Sequence, residues 1–245
     1  MSLTTPGTLE AIAARLDVIQ AEQGRRARGK LETYYPTSGP LSRAKYRKHM
    51  ALFRAGSRYR VRLMMAANRV GKTDAGCYET CIHLIGTYPA WWKGVRFTEP
   101  VRWWAAGDTS KTVRDIIQMK LLGPVEELGT GFLPAHLIDD LTPKSGISDA
   151  YEGIKVRHVS GGLSTVLLKS YDQRREAFQG TAQHGIWLDE EPPFDIYTEC
   201  LLRTMATSDF PGGTLLMTFT PLSGLTELVQ SFLHDADKFE EESAA

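Results

Sequence analysis

An α/β fold, with a mostly parallel central sheet flanked by helices, is predicted by three features of the 245-residue sequence. Short runs of β-forming residues alternate with stretches of helical period. The first such run leads through Gly71-Lys72-Thr73 directly into a helix, and a later one, Ile186-Trp187-Leu188, ends in the paired acids Asp189-Glu190. Strands separated by helices pair in parallel, because each crossover helix returns the chain to the same end of the sheet.

In chain order, residues 8–29 carry Leu9, Ile12, Leu16 and Ile19 at helical spacing and predict an amphipathic helix ending near Gly29. Residues 34–40 hold two prolines and a glycine and read as a loop, before a second helix over 41–53. A strand over 59–67 precedes the Gly-Lys-Thr turn and a helix to about residue 85. The next strand, 101–106, is closed by Gly107-Asp108, and Thr109 or Ser110 caps a helix carrying Val113, Ile116, Ile117 and Leu121. Residues 123–150, rich in Gly, Pro and polar side chains, read as an excursion rather than core. Residues 154–159 and 164–170 alternate around Gly161-Gly162 and predict a hairpin. A strand at 185–188, a helix at 194–205, a strand at 214–219 and a helix at 225–233 complete the pattern. Residues 1–40 thus form an N-terminal helix and linker, 41–235 a single domain, and 236–245 an acidic tail.

Hydrophobic residues make up 42% and charged residues 24%, as in an ordinary soluble globular protein, and no apolar run reaches membrane-spanning length. The N-terminus lacks the basic start and apolar stretch of a signal peptide, so a cytoplasmic protein with no membrane partner is expected. Cys77, Cys81 and Cys200 have neither a CxxC pair nor a neighbouring histidine at metal-ligand spacing, and read as small buried residues. The net charge of zero conceals an asymmetry. Basic residues crowd the first third, among them Arg25, Arg26, Arg28, Lys45, Arg47, Lys48, Arg54 and Arg58, and acids end the chain at Glu240-Glu241-Glu242. Such a basic region is either a solvated face or a surface that meets nucleic-acid phosphate.

Ala66-Ala67-Asn68-Arg69-Val70-Gly71-Lys72-Thr73 fits the phosphate-loop pattern, with Ala66 in place of its first glycine. Between strand and helix, such a loop points backbone N–H groups at nucleotide phosphates, and the helix dipole adds positive potential. Lys72 then bridges the outer phosphates of ATP, and the Thr73 hydroxyl ligates Mg2+. Asp189, at the carboxyl end of an apolar strand, completes the Mg2+ shell, and Glu190 orients and deprotonates the attacking water. A phosphate loop with a later Asp-Glu pair specifies a P-loop NTPase of the ASCE type. Thr218, Thr220 and Pro221 end the next strand at the same edge, where one threonine can face the γ-phosphate while the other packs. Arg69 can stabilise charge from within the loop, and Arg157, Arg174, Arg175 and Arg203 are candidates for a finger reaching a neighbouring subunit.

Taken in order, a phosphate loop with an internal arginine, Trp187-Leu188-Asp189-Glu190-Glu191-Pro192, and Thr218-Phe219-Thr220-Pro221 resemble the large terminase subunit of tailed bacteriophages, over roughly residues 40–235. The resemblance implies the ATPase half of a motor that threads double-stranded DNA into a procapsid through a portal. It also implies a small terminase subunit as partner, a homo-oligomeric ring when assembled, and the host cytoplasm as location. Lys72 and Thr73 match the loop pair, Asp189 and Glu190 the metal-binding and catalytic acids, and Thr218 to Pro221 the motif coupling hydrolysis to movement. Ala66 departs from the family pattern, as does Arg69, since several terminases carry the loop arginine one position earlier, at Asn68 here. The nuclease half of a large terminase has no counterpart among the acids after Glu227, which implies the motor domain alone. A helicase or translocase of another P-loop family shares the same motifs but needs a second motor lobe. A small-molecule P-loop kinase rarely carries an adjacent catalytic glutamate or so basic an N-terminal third, and a binding module that keeps ATP intact leaves Glu190 without a task.

Overall fold

The computed structural model describes residues 11–16, 19 and 29–233. Its central element is a seven-stranded sheet of β1 (Val61–Met65), β2 (Arg102–Gly107), β3 (Ile138–Pro143), β4 (Tyr151–Arg157), β5 (Leu163–Ser170), β6 (Gly185–Asp189) and β7 (Thr214–Phe219), in the order β1-β7-β6-β2-β5-β4-β3. β1, β7, β6, β2 and β5 are mutually parallel, whereas β4 and β3 are added antiparallel at one edge. β7 lies between the phosphate-loop strand β1 and the acid-bearing strand β6, which is the inserted strand of the ASCE arrangement.

The central parallel strands β2, β6 and β7 are buried on both faces, so they read as continuous apolar runs, whereas β1 and β5 alternate. In β2 the side chains alternate, with Trp103 and Ala105 entering one core and Trp104 and Ala106 the other. The first face is covered by helices α1 (Arg47–Ala55) and α2 (Lys72–Ile85) and by the helical segment 110–122, here α3. Here Tyr35, Phe53, Tyr78, Trp91 and Trp92 pack with ring centroids 4.8–6.3 Å apart. The second face is covered by α4 (Phe194–Thr204) and the helical residues 227–233, through Ile196, Cys200, Leu228 and Val229. Gly76 brings α2 against the sheet, since a Cβ there would lie 2.2 Å from Nε1 of Trp187. α3 opens on a capping box in which Thr109, one of the two caps the sequence offers, accepts from the Thr112 backbone N–H, and then passes through a π-helical stretch at Val113–Gln118.

The 154–159/164–170 hairpin is β4–β5, with Arg157 opposite Leu163. Three expectations are corrected. Residues 123–150 are not merely an excursion: β3 closes the sheet edge, and Phe132 and Leu133 are fully buried, held by backbone bonds from their N–H groups to Lys120 O and Leu121 O. β3 reads as polar because it is an edge strand with most side chains exposed. The helix expected at 41–53 begins only at Arg47, because residues 41–46 form turns. The helix expected from Leu225 starts at residue 227. In the first expected helix, 11–16 and 19 are helical, and its remainder lies outside the described residues, as do Arg25, Arg26, Arg28 and the acidic tail. The three cysteines are free and buried.

Candidate nucleotide site

The site is assembled where β1, β7 and β6 end side by side, at the carboxyl edge where open α/β sheets bind ligands. The loop from Ala66 to Gly71 turns from β1 into α2, and Gly71 at its exit has φ +83, a conformation that glycine adopts without steric cost. Arg69 is also left-handed, at φ +64, and residues 67–70 are exposed. The first turn of α2 then carries Lys72 and Thr73 inward. Lys72 is 7% exposed, and its Nζ donates to Ala67 O at 2.9 Å and to Oγ1 of Thr220 at 2.7 Å. Thr220 Oγ1 also lies 3.0 Å from Ala66 O and 2.7 Å from Oδ1 of Asn68, so the end of β7 is tied to the loop.

Asp189 ends β6 and is 4% exposed. Its carboxylate accepts from Thr73 Oγ1 at 3.1 Å and from Thr218 Oγ1 at 2.8 Å, and Thr218 in turn accepts from Nε1 of Trp187 at 2.8 Å. Thr218 in β7 and Thr220 just beyond it therefore divide the work: Thr218 packs under Asp189, and Thr220 faces the loop. Pro221 follows where the chain leaves the sheet. Glu190 is exposed with φ +64, costing on the order of 1–3 kcal/mol for a residue other than glycine, which is the kind of strain that marks functional corners. Its N–H bonds Thr218 O at 3.0 Å, and the Tyr171 hydroxyl lies 3.0 Å from Asp189 O and 3.1 Å from Glu190 O. The Glu190 carboxylate stands free among the described residues.

Burial pushes the Asp189 carboxyl up to about 7, against the hydrogen bonds from Thr218 and Thr73 and the charge of Lys72. Its folded value lies above its unfolded value of about 4. Between those values the folded chain holds a proton that the unfolded chain has released, so this group's stabilisation is present in acid and lost as pH rises from about 4 to about 7. Asp189→Asn is accordingly expected to raise stability at pH 8 by about 4 kcal/mol, or about 8–16 °C in melting temperature, and to raise it much less at pH 5. Equal melting temperatures at pH 8 would show that no buried charge is carried there.

Two residues that no motif announces brace the loop from behind. His49, buried on α1, donates through Nε2 to Val70 O at 3.1 Å while its Nδ1 accepts from the Tyr35 hydroxyl at 2.7 Å. Val70 O can only accept, which fixes the proton on Nε2, and burial lowers the imidazole pKa, favouring that neutral form. Tyr171, under the acid pair, was equally unannounced.

The four candidate arginines separate by their partners. Arg157 pairs with Asp139 at 3.1 Å, at the far end of antiparallel β4 from the site. Arg175 and Arg203 both pair with Glu199, at 2.9 and 3.0 Å. Arg174 makes no ion pair among the described residues, is exposed, and is held at φ +63 and ψ 174 on the turn after β5, at the same sheet edge as Asp189.

A family model described as the T4-like-virus type N-terminal part of the terminase large subunit matches residues 63–244. The chain is 35% identical over 227 residues to the terminase large subunit of Salmonella phage P22, covering 84% of this chain and 45% of that protein, so it spans about half the length of this relative. Among solved structures it resembles the large terminase of bacteriophage HK97, with a TM-score of 0.53 at 15% identity over 89% of this chain and 42% of that one. It likewise resembles a variant of the Thermus phage P74-26 large terminase ATPase domain, with a TM-score of 0.50 at 19% identity over 73% and 66% of the two chains. At those identities the structural likeness shows the fold, which agrees with the strand order above.

Proposed function

The chain belongs to the terminase large subunit family, T4-like-virus type, N-terminal part, and from that premise we propose that it hydrolyses ATP to drive double-stranded viral DNA into a procapsid. The observation that carries this reading is the continuous contact Lys72–Thr220 and Thr73–Asp189–Thr218 at one sheet edge, with Glu190 free beside it. Phosphate-binding, metal-binding and proton-accepting groups thereby meet at one place.

The donor set fits Mg2+. A threonine hydroxyl 3.1 Å from both oxygens of a carboxylate is a pair of hard oxygen donors, and Mg2+ takes one or two such protein ligands and fills the rest with water and phosphate. No cluster of three or more His, Cys, Asp or Glu offers another cage among the described residues. When bound, the ion would neutralise charge on the nucleotide phosphates. Lys72 would exchange Ala67 O and Thr220 Oγ1 for phosphate oxygens, which are stronger, charge-assisted acceptors. The exchange would take Lys72 away from Thr220 and leave it bonded to the loop at Ala66 and Asn68, and that change of partners supports a coupling role for Thr218, Thr220 and Pro221 at the end of β7. Glu190 would accept a proton from the attacking water, with its carboxylate unencumbered by any ion pair.

The family also supports a small terminase subunit and a portal-bearing procapsid as partners, in the host cytoplasm. No helix among the described residues is long and apolar enough to cross a membrane. A ring assembly would place one subunit's nucleotide near its neighbour's flank, and Arg174 is the best placed of the four arginines to reach across. We expect Arg174→Ala to keep ATP binding and to lose hydrolysis in the assembled motor. Mixing it with Glu190→Gln protein should restore turnover, because each variant supplies what the other lacks. Normal hydrolysis by assembled Arg174→Ala protein would shift the role to Arg69.

The deciding experiment is ATP turnover by the purified chain with and without double-stranded DNA. Turnover that DNA stimulates, and that Lys72→Ala abolishes, is the expected result. A chain that binds no ATP, or whose Lys72→Ala variant hydrolyses it normally, would refute the reading.

A further inference from the structure

The sequence contains no Asp or Glu between Glu32 and Asp74, while Lys and Arg recur throughout that interval. The structure accounts for some of these cations. Arg62 is buried against Glu79, Lys72 belongs to the phosphate loop, Arg60 donates to Pro211 O, and Arg43 donates to Tyr35 O. The remainder concentrates on α1. Its inner face buries His49, Leu52 and Phe53, and its outer face exposes Arg47, Lys48, Ala51 and Arg54, continued by Arg58 on the turn that follows. Arg47, Ala51, Arg54 and Arg58 follow at steps of four, three and four residues, with Lys48 beside Arg47, so these side chains lie along one side. None of the four cations pairs with a carboxylate among the described residues.

Such a row is not what stability alone would select. Within α1 the cations are Arg47 and Lys48 at one end and Arg54 about two turns on, and glutamates placed between them at a spacing of three or four residues would add about 0.2–0.5 kcal/mol per pair, yet none is there. Protein–protein contacts, although enriched in arginine, place aromatic or large apolar anchors at their centre. Here the centre of the row is Ala51, small enough to let a ligand backbone come close. A dense line of cations without anchors or acids matches a repeating anion, and phosphate contacts of that kind position a protein on a duplex without reading its sequence.

We infer that the outer face of α1, from Arg47 through Arg54 to Arg58, is the surface on which this chain grips the phosphate backbone of double-stranded DNA, an assignment that rests on the DNA-motor reading above. The inner face of the same helix holds Val70 O of the phosphate loop through His49. One rigid helix therefore joins the DNA contact to the nucleotide site, and DNA bound outside would be felt at the loop inside.

Lys45, Arg47 and Lys48 also line a cleft of about 780 Å3 beside the phosphate loop, so the test uses Arg54 and Arg58, which do not. Arg54→Gln/Arg58→Gln protein should keep its melting temperature and its ATP turnover without DNA. In titrations of a short duplex at several salt concentrations, the slope of log K against log salt should fall by about 2, as two phosphate contacts are lost. DNA stimulation of ATP turnover should fall with it, and Ala51→Glu should weaken binding in the same direction. An unchanged slope and affinity would overturn the assignment while leaving the motor reading intact. Poly-glutamate that displaces DNA at equal charge would assign the face to an acidic protein instead. Unsubstituted protein that turns over ATP but binds no duplex at low salt would overturn both this assignment and the DNA part of the motor reading.

Discussion

Glu190→Gln protein is expected to bind ATP as tightly as the unsubstituted chain and to hydrolyse it about 100- to 10,000-fold more slowly, the usual contribution of a positioned general base. The substitution keeps shape and removes only basicity. The Glu190 side chain makes no hydrogen bond or ion pair among the described residues, so its loss disturbs no neighbour, and its backbone is held independently through Thr218 O and Tyr171. In the proposed site binding is assigned to Lys72 and Thr73, whose contacts do not involve Glu190. Nucleotide titration and steady-state turnover measured on one preparation separate the two effects. Turnover within a few-fold of the unsubstituted protein would remove Glu190 from the base role.

The largest expected effect on stability lies beneath the loop. Arg62 of β1 donates to both carboxylate oxygens of Glu79 on α2, at 3.0 and 2.5 Å, with both side chains at most 3% exposed. Burial alone would raise the Glu79 carboxyl, but Arg62 and His83 hold it at about 2. Its stabilisation is therefore present above the usual carboxylate range and lost only as pH falls toward 2. Arg62 further donates to Leu52 O and Thr214 Oγ1, so the pair joins α1, β1, α2 and β7. Glu79→Ala leaves a guanidinium buried without its counter-charge, and we expect a loss of about 3–5 kcal/mol in urea unfolding. Replacing both partners by apolar residues of similar volume should cost much less, because no uncompensated charge remains. A loss below about 1 kcal/mol for Glu79→Ala would mean that Arg62 finds another partner or water.

The parts of the site that were legible in the sequence are those whose geometry is local. A phosphate loop is dictated by consecutive residues between a strand and a helix, so Gly71, Lys72 and Thr73 disclose it without knowledge of the fold. Asp189-Glu190 is likewise readable, because a buried strand seldom ends in two acids without a charged task. What could not be read depends on pairings across the chain. His49 and Val70 are 21 residues apart and meet only because α1 packs beside the loop, and Tyr171 reaches Glu190 only because β5 and β6 flank β2. The arginines illustrate the same limit. In sequence the four are equivalent, and only tertiary structure gives Asp139 to Arg157 and Glu199 to both Arg175 and Arg203. β3 was missed because an edge strand buries too little to show an apolar alternation.

The turn after β5 does two things at once. Tyr171 is buried, its ionisation is pushed far above the usual tyrosine range by that burial, and its hydroxyl proton is shared between the carbonyls of Asp189 and Glu190. Three residues later, the Arg174 N–H bonds back to Tyr171 O at 3.0 Å. The Asp189–Glu190 corner is thereby anchored to the short piece that carries Arg174 to the surface. A push on that arginine would be registered at the corner without crossing the sheet, as displacement at one end of a lever is registered at the other.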